Sequence, residues 1–459
     1  MPQIESMSIL IIVVFVLGYV AIATEHSIKV DKAASALITG MLCWAIYVFS
    51  IEGVEGHDLQ HIIEHGFSNK GYSGGLIHHL FDIGSILFFL MGAMTIVELV
   101  DAHEGFSVIT DRIKTVNCVK LIWILSILTF FLSAVLDNLT TTIVMISLLR
   151  KLVKDQHMRW FFVGMVVVSA NAGGAWSPIG DVTTTMLWIK GQLPDVGLMV
   201  TKLFLPSLVA MLVPLSIITY TMKGKVTERP LKTEGIEHYI NPTTSFERNL
   251  IFIMGILGLL FVPVFKTITH LPPFMGMMLS LGILWVTTEL IHRTKNREVK
   301  HDLSVIGVLQ KVDVASVLFF LGILTAVAAL QEIGHLNELA LYLDANIGNI
   351  YAINVVIGFL SSIVDNVPLV AAAQGMYHEK MVAAVADGTL VDFLPSGNFW
   401  LFLAYCAGVG GSSLIIGSAA GVAAMGLERI DFFWYMKRIS GLAVIGYLAG
   451  AGVYILMYS

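Results

Sequence analysis

The chain has 459 residues, of which 56% are hydrophobic and only 13% charged, and its mean hydropathy is +0.81. Because soluble domains carry about 25% charged residues, this composition excludes a soluble protein and predicts an all-α polytopic membrane protein. The formal net charge of −6 is spread over connecting segments, and no basic block typical of nucleic-acid binding occurs. The three cysteines, Cys43, Cys118 and Cys406, are isolated from one another and form no metal-binding or disulfide spacing.

The apolar runs, taken in chain order, predict ten membrane spans. The first run has no basic segment before it and no clear cleavage site after it, so we expect a retained span rather than a signal peptide. The predicted spans are 7–23, 34–51, 82–100, 160–189, 196–222, 249–266, 274–292, 313–331, 398–427 and 439–457.

Two further apolar runs, 119–149 and 351–377, are each interrupted by a polar Asp-Asn pair. Each run is too long for one span and too short for two spans with a loop. Since non-helical backbone at membrane depth must be surrounded by protein or water, we predict a re-entrant hairpin for each.

The positions of Lys and Arg support this topology, because cytoplasmic loops carry an excess of both. With both termini outside, 22 of the 27 Lys and Arg residues lie on the cytoplasmic side and the other five lie outside. The first hairpin then opens to the cytoplasm and the second to the outside. The two halves of the chain are therefore predicted to be oppositely oriented.

The two halves also repeat in sequence. Asp137-Asn138 recurs 228 residues later as Asp365-Asn366, within a longer match of Phe131–Thr140 to Phe359–Pro368. A Gly-interrupted run follows each hairpin, and Gly and Pro break helices. Corresponding interrupted segments in two inverted halves point to the binding site of a transporter. The predicted organisation is a first repeat at 1–222 (hairpin 119–149, broken helix 160–189), a cytoplasmic linker at 223–248, and a second repeat at 249–459 (hairpin 351–377, broken helix 398–427).

The polar residues of these four motifs predict the chemistry. They include Asp137, Asp181 and Asp365 but no Lys or Arg, and one Asp at the centre of a membrane helix costs roughly 2.5–3.5 kcal/mol. Carboxylate, amide, hydroxyl and carbonyl oxygens suit a hard cation such as Na⁺ or Li⁺. A buried carboxyl group beside another carboxylate retains a proton more readily than an exposed one, so a cation and a proton can compete for one site.

Structural alternatives remain for several of these residues. Asp137 and Asp365 could be caps that satisfy helix N–H groups, whereas Asp181 has Ser418 at its symmetric position, which favours a direct role. Glu98 is either a buried coupling carboxylate or an interfacial acid. Ser412, Ser413 and Ser418 are either ligands or small residues needed for close helix approach. The histidines in 52–80 (His57, His61, His65, His78 and His79) form either a solvated loop helix or a pH-sensing or metal-binding group.

Three motifs, Ser133–Thr142, Ser169–Asp181 and Ser361–Pro368, resemble the NhaD-type sodium/proton antiporters of the ion transporter superfamily, and the resemblance covers nearly the whole chain. It implies a dimerising scaffold domain and a transport domain of hairpins and broken helices that moves like an elevator. Dicarboxylate members of that superfamily carry Ser-Asn-Thr at each hairpin tip. This chain has Asp-Asn-Leu-Thr and Asp-Asn-Val-Pro instead, which argues against a dicarboxylate substrate.

The resemblance implies that eight positions are functionally sensitive: Asp137, Thr141, Asn171, Asp181, Thr183, Thr184, Ser361 and Asn366. The motifs add further candidates for ion binding or proton coupling: Asn138, Thr140, Ser177, Asp365, Ser412, Ser413, Ser418 and Glu98. Na⁺ itself is expected at Asp137, Asn171, Asp181 and Asn366.

These observations predict a homodimeric Na⁺(Li⁺)/H⁺ antiporter in a prokaryotic plasma membrane that exports sodium against inward protons. It is expected to be neither an enzyme nor a cofactor-binding protein. The first alternative is a sodium-coupled anion symporter of the same fold. A channel or a non-transporting membrane sensor is a more distant alternative, because alternating access is what an inverted repeat serves.

Overall fold

The computed structural model describes residues 2–50, 76–110, 113, 115–228, 243–363 and 365–459. Within these ranges all regular structure is helical, apart from one antiparallel bridge between Asn117 and Val226. The predicted all-α class is therefore confirmed. His57, His61 and His65 of the histidine-rich segment, and residues 229–242 of the predicted linker, lie outside the described residues.

Eight labelled helices precede the linker: α1 Pro2–Ala23, α2 Lys32–Ser50, α3 Leu76–Ala102, α4 Cys118–Leu136, α5 Asn138–Leu152, α6 Gln156–Gly174, α7 Val182–Ile189 and α8 Val196–Met222. Ten follow it: α9 Ser245–Thr269, α10 Pro273–Ile291, α11 Val314–Ile333, α12 His335–Asn346, α13 Ile350–Leu360, α14 Asn366–Met376, α15 His378–Asp387, α16 Asn398–Gly410, α17 Ala419–Glu428 and α18 Gly441–Tyr458. Shorter helical turns lie at Glu25–Ile28, Ser107–Thr110, Arg297–Leu303, Val305–Leu309, Val391–Phe393, Gly411–Ser413, Phe432–Tyr435 and Met436–Ser440.

Many of these helices have the length and composition of membrane spans. In the described part of the chain, eight helices are long and apolar enough to cross a bilayer, and they belong to α2, α3, α4, α8, α9, α10, α11 and the segment Phe432–Tyr458. Large apolar side chains such as Ile253, Leu257 and Val264 of α9 are exposed on the protein surface, as expected for a surface in contact with lipid. A multi-pass membrane protein is therefore confirmed.

Helices α4 and α5 form the first helix pair, and both ends of this pair lie against the same segment. The Cys118 amide donates to the Lys225 carbonyl (3.2 Å), and the Lys154 amide donates to the Glu228 carbonyl (2.9 Å). The start of α4 and the end of α5 therefore lie on the same side of the helix pair, beside residues 225–228. With 19 residues, α4 is about 28 Å long, so this arm is as long as a full membrane span.

The second helix pair, α13 and α14, has shorter arms of 11 residues each. Each helix pair is followed by a broken helix. The first broken helix is α6 and α7, separated by 175–181, and the second is α16 and α17, separated by 411–418. Helices α6 and α16 are fully buried along Phe162–Gly174 and Phe399–Gly410, so the core of the molecule is built around them.

Glycines let each broken helix approach its helix pair closely, and the contacts recur in both halves. A Cβ at Gly173 would lie 2.2 Å from the Phe130 carbonyl oxygen, and one at Gly410 would lie 2.2 Å from the Gly358 carbonyl oxygen. No side chain fits at either distance. The Ser133 hydroxyl donates to the Ala170 carbonyl (2.6 Å).

The second half repeats that hydroxyl contact, because Ser361 donates to the Ala407 carbonyl (2.9 Å). Equivalent residues thus make equivalent contacts in the two halves. This packing brings the breaks of both broken helices next to the tips of both helix pairs.

Candidate ion-binding site

Asp181 lies at the centre of the site. It is the N-cap residue of α7, where its Oδ1 accepts a hydrogen bond from the Thr183 amide (2.9 Å). The Thr184 hydroxyl donates to the Asp181 carbonyl (2.9 Å). Asp181 is 1% exposed, so its carboxylate depends on protein groups rather than bulk water for its remaining partners.

Two asparagines supply those partners, one from the tip of each helix pair. Asn138 Nδ2 donates to Asp181 Oδ2 at 2.8 Å. Asn366 Nδ2 lies 3.2 Å from Asp181 Oδ2 and 3.4 Å from Asp181 Oδ1. Each asparagine is the first residue of its helix, α5 or α14, so the partial positive end of each helix also points toward the carboxylate.

Asn171 and Ser418 extend this network into the two broken helices. Asn138 Nδ2 donates to Asn171 Oδ1 (3.1 Å), and Asn171 Nδ2 donates to the Ser418 hydroxyl (2.9 Å). Ser418 caps α17 and accepts from the Gly421 amide (3.2 Å). Asn138, Asn171, Asp181, Asn366 and Ser418 are all buried, and together they form what we call the central network.

Asp137 adjoins this network but directs its carboxylate elsewhere. Its Oδ1 accepts from the Thr140 amide and its Oδ2 accepts from the Thr140 hydroxyl, both at 2.8 Å. Its backbone has φ 77° and ψ 160°, a region that is sparsely populated by residues other than glycine. In the described structure Asp137 therefore acts as a cap for α5, held in a strained backbone beside Asn138.

Asp365 faces a cavity of about 250 Å³ rather than the central network. Its Oδ2 lies 3.7 Å from Lys32 Nζ of α2. Sequence reasoning missed Lys32, because the motifs alone contain no cation. The signal in the sequence is its position at the start of the apolar run 34–51, among the Lys and Arg residues predicted on the cytoplasmic side.

The remaining candidate hydroxyls fall into two groups. Those of Ser177, Ser361 and Ser412 donate to the backbone carbonyls of Ala134, Ala407 and Val409, at 2.5, 2.9 and 2.6 Å. Ser177 and Ser412 lie in the breaks of the broken helices, whereas Ser361 joins the tip of the second helix pair to α16. The Thr141 and Ser413 hydroxyls are buried without a hydrogen-bond partner, and both remain available to a ligand or water. Glu98 is half-buried on α3, and the charged groups acting on it are Asp101 and Lys311 rather than the aspartates of the site.

The oxygens around Asp181 suit a hard monovalent cation. The carboxylate is negative, and the two asparagine amides and the Ser418 hydroxyl each have an oxygen that can turn toward a bound ion. Across the described residues, no group of three or more His, Cys, Asp or Glu side chains forms a metal-binding cluster. The arrangement can hold either a cation or a proton on Asp181.

Known proteins match this chain over most of its length. The family model described as "Citrate transporter" matches residues 19–390. Sodium/proton antiporter 1 of Arabidopsis thaliana is 44% identical over 97% of this chain and 72% of its own length. Sodium/proton antiporter 2 of the same plant is 41% identical over 97% of this chain and 98% of its own length. The Na⁺/H⁺ antiporter NhaD of Vibrio cholerae is 29% identical over 97% of this chain and 91% of its own length.

The chain belongs to the NhaD-type sodium/proton antiporters. The citrate-transporter family model matches the same chain, and the resemblance predicted from the sequence motifs is confirmed. The relatives of this NhaD-type chain bear the names of transporters from plants and bacteria, which points to a transporter rather than an enzyme.

Proposed function

We propose that the protein exchanges Na⁺ or Li⁺ for H⁺ across a membrane and exports sodium as protons enter. The observation that carries this proposal is the setting of Asp181. The carboxylate is buried, two asparagine amides from separate helix pairs hold it, and the hydrogen bonds and ion pairs recorded for it among the described residues include no cationic side chain. The names of the relatives support the same activity.

The exchange would proceed by competition at one site. With sodium bound, oxygens of Asp181, Asn171 and Asn366 would surround the ion, and Asp137 would add a second negative charge beside Asn138. When the ion leaves, Asp181 takes a proton, which neutralises the buried carboxylate. The charge of the Asp181 carboxylate is thus compensated in both forms, by Na⁺ in one and by a proton in the other, which avoids an uncompensated buried charge at this residue.

We also propose that the helix pairs and broken helices, 119–189 and 351–427, move together as a transport domain against a dimerising scaffold. Three observations support this. The glycine contacts join each helix pair to its broken helix, the central network joins the two halves, and a buried Glu428 in α17 binds Arg150 of α5 and Arg159 of α6. Structures facing the two sides of the membrane should then differ by a rigid displacement of these segments.

The same proposal assigns opposite orientations to the two halves, places both termini outside, and places the protein in a prokaryotic plasma membrane. The bias of Lys and Arg supports the orientation, and relatives named NhaD occur in bacteria. The orientation can be tested with single cysteines introduced at the two termini of the protein. Their reactivity toward a membrane-impermeant reagent is measured in intact cells.

A sodium-coupled anion symporter is the second candidate. The description of the matching family model favours it, as does the presence of one cation, Lys32, near Asp365. The central carboxylate argues against it, because an anionic substrate at Asp181 would meet a like charge.

Proteoliposomes containing an internal pH dye separate the two candidates. We expect Na⁺ and Li⁺ to change the internal pH without any organic anion, while choline does not. Uptake of labelled citrate that depends on Na⁺, with no pH response to Na⁺ alone, would replace the antiporter by the symporter.

A further inference from the structure

Lys32 is a cation whose position the local sequence does not explain. It is the first residue of α2, which is the positive end of the helix dipole and therefore unfavourable for a lysine. Asp31, before it, caps the helix by accepting from the Ala33 amide (2.7 Å). The favourable partners of Lys32 come from distant parts of the chain, namely Asp365 at 3.7 Å and the Phe319 ring, whose centroid lies 4.6 Å from Nζ.

The pair of Lys32 and Asp365 lines a cavity of about 250 Å³. Glu25 and Tyr19 line the same cavity, and the Tyr19 hydroxyl is buried without a hydrogen-bond partner. The side chains of Lys32 and Asp365 are 21% and 14% exposed. The lining is mostly apolar, so Lys32, Asp365, Glu25 and the unpartnered Tyr19 hydroxyl are its polar groups, and the volume is large enough for a hydrated ion.

This cavity lies directly beside the central network. Asp365 precedes Asn366 in the chain, and the Asn366 amide contacts Asp181. The Asp365 carboxylate therefore lies on the lining of the cavity, one residue away from a direct contact of Asp181. In the present structure the lysine ammonium already pairs with that carboxylate.

We propose that Lys32 is a tethered competitor of Na⁺ at Asp365, so that it sets the sodium affinity of the site. The proposal rests on the sodium exchange proposed above. An ammonium and Na⁺ carry the same charge, so an ammonium beside Asp365 neutralises that carboxylate and repels a sodium ion that approaches it. Asp365 adds the attraction of its negative charge to a sodium ion at Asp181 only in molecules whose Lys32 has left it, and the apparent affinity is reduced by the fraction of such molecules.

The effect of removing the lysine follows from this competition. Partly exposed ion pairs are weak, so Lys32→Gln should lower the half-saturation concentration for Na⁺ by about two- to fivefold. Lys32→Arg keeps the charge and should retain the wild-type value. A purely structural link between α2 and the second helix pair predicts the opposite, namely unchanged or weaker binding in Lys32→Gln.

Equilibrium binding of ²²Na⁺ to the purified full-length protein tests the proposal without requiring proton exchange. The variants are Lys32→Gln, Lys32→Arg, Asp365→Asn and the double variant Lys32→Gln/Asp365→Asn. Lys29→Gln is the matched control, because it removes the same charge three residues earlier at an exposed position. We expect tighter binding only in Lys32→Gln, and no effect of Lys32→Gln once Asp365 is Asn.

The outcomes separate this proposal from the proposed function. Wild-type Na⁺ binding with an unchanged value in Lys32→Gln overturns the competitor role and leaves antiport intact. Equal tightening by Lys29→Gln also overturns it, because a general surface-charge effect would then suffice. No saturable Na⁺ binding by the wild-type protein would reject both proposals together.

Discussion

Asn138 and Asp181 join the tip of the first helix pair to the break of the first broken helix through a 2.8 Å hydrogen bond. Asn366 contacts the same carboxylate from the second half of the chain. The tips of both helix pairs and the break of the first broken helix are therefore joined through the carboxylate of Asp181.

Asp181→Asn should abolish Na⁺-driven proton exchange and leave the protein folded. Asparagine is as good an N-cap as aspartate, so α7 remains capped while the charge is lost. We expect Na⁺ affinity to fall at least about tenfold, because contacts to a charged group are worth about 1.5–3 kcal/mol. Asp195→Asn is the control, since Asp195 caps α8 by accepting from the Leu198 amide (2.9 Å). Near-normal exchange in Asp181→Asn would remove Asp181 from the site.

Gly173→Ala should destabilise the contact between the first helix pair and α6. The added Cβ would lie 2.2 Å from a backbone oxygen of Phe130, which cannot move aside as a side chain would. Overpacking of this kind costs about 1–3 kcal/mol. Gly282→Ala in α10 is the control, because nothing lies within 4 Å of its added Cβ and alanine favours a helix. Equal melting temperatures for the two variants would show that the close approach is unnecessary.

Glu428→Gln should lower stability without altering Na⁺ affinity. Glu428 Oε1 and Oε2 each accept from an arginine at 2.6 Å, from Arg150 and Arg159. Loss of one partner from a buried pair costs about 3–5 kcal/mol. We expect the lower end or less, about 2–3 kcal/mol, because the Arg150 side chain is 47% exposed.

Glu228→Gln is the control for this measurement, since Glu228 is an exposed partner of Lys154 at 4.0 Å. Thermal unfolding in detergent, followed by ²²Na⁺ binding, measures both quantities. A changed Na⁺ affinity in Glu428→Gln would mean that this cluster takes part in the ion site.

The protein should lose stability on mild acidification through a buried histidine pair beyond the ends of α3 and α10. His103 Nε2 and His292 Nε2 lie 2.8 Å apart, and His103 Nδ1 lies 2.7 Å from the Leu99 carbonyl. Burial, and then the charge of Lys295, lower the pKa of His292 to about 4. Burial likewise lowers the pKa of His103.

Between about pH 6.5 and pH 4 the unfolded chain therefore binds more protons than the folded one, so stability falls as pH falls through this window. We expect a lower melting temperature at pH 5 than at pH 7.5, and a smaller difference in His292→Gln. His157→Gln, at an exposed position, should leave the pH dependence unchanged. An identical pH dependence in His292→Gln and the wild type would contradict the assignment.

The helices could be predicted from sequence because apolar runs of span length and their Gly and Pro interruptions are local signals. The roles of the three aspartates could not. Asp137-Asn138 and Asp365-Asn366 have the same local pattern, yet Thr140 occupies one carboxylate and Lys32 pairs with the other. That difference depends on tertiary packing between segments far apart in the chain. Helix α4 is also as long as a full membrane span, which is longer than one arm of a short re-entrant hairpin needs to be.

The amides around Asp181 have a consequence for how the site is emptied and filled. In the structure, Asn138 and Asn366 present their NH₂ groups to the carboxylate, which is the correct face for an anion and the wrong face for a cation. The oxygen and the NH₂ group of an asparagine amide point in opposite directions from its Cγ atom. Half a turn of each amide would therefore place its oxygen, instead of its NH₂ group, beside Asp181. The arrival of each ion would therefore require both amides to rotate by half a turn, and the rate of those rotations sets an upper limit on the rate of turnover.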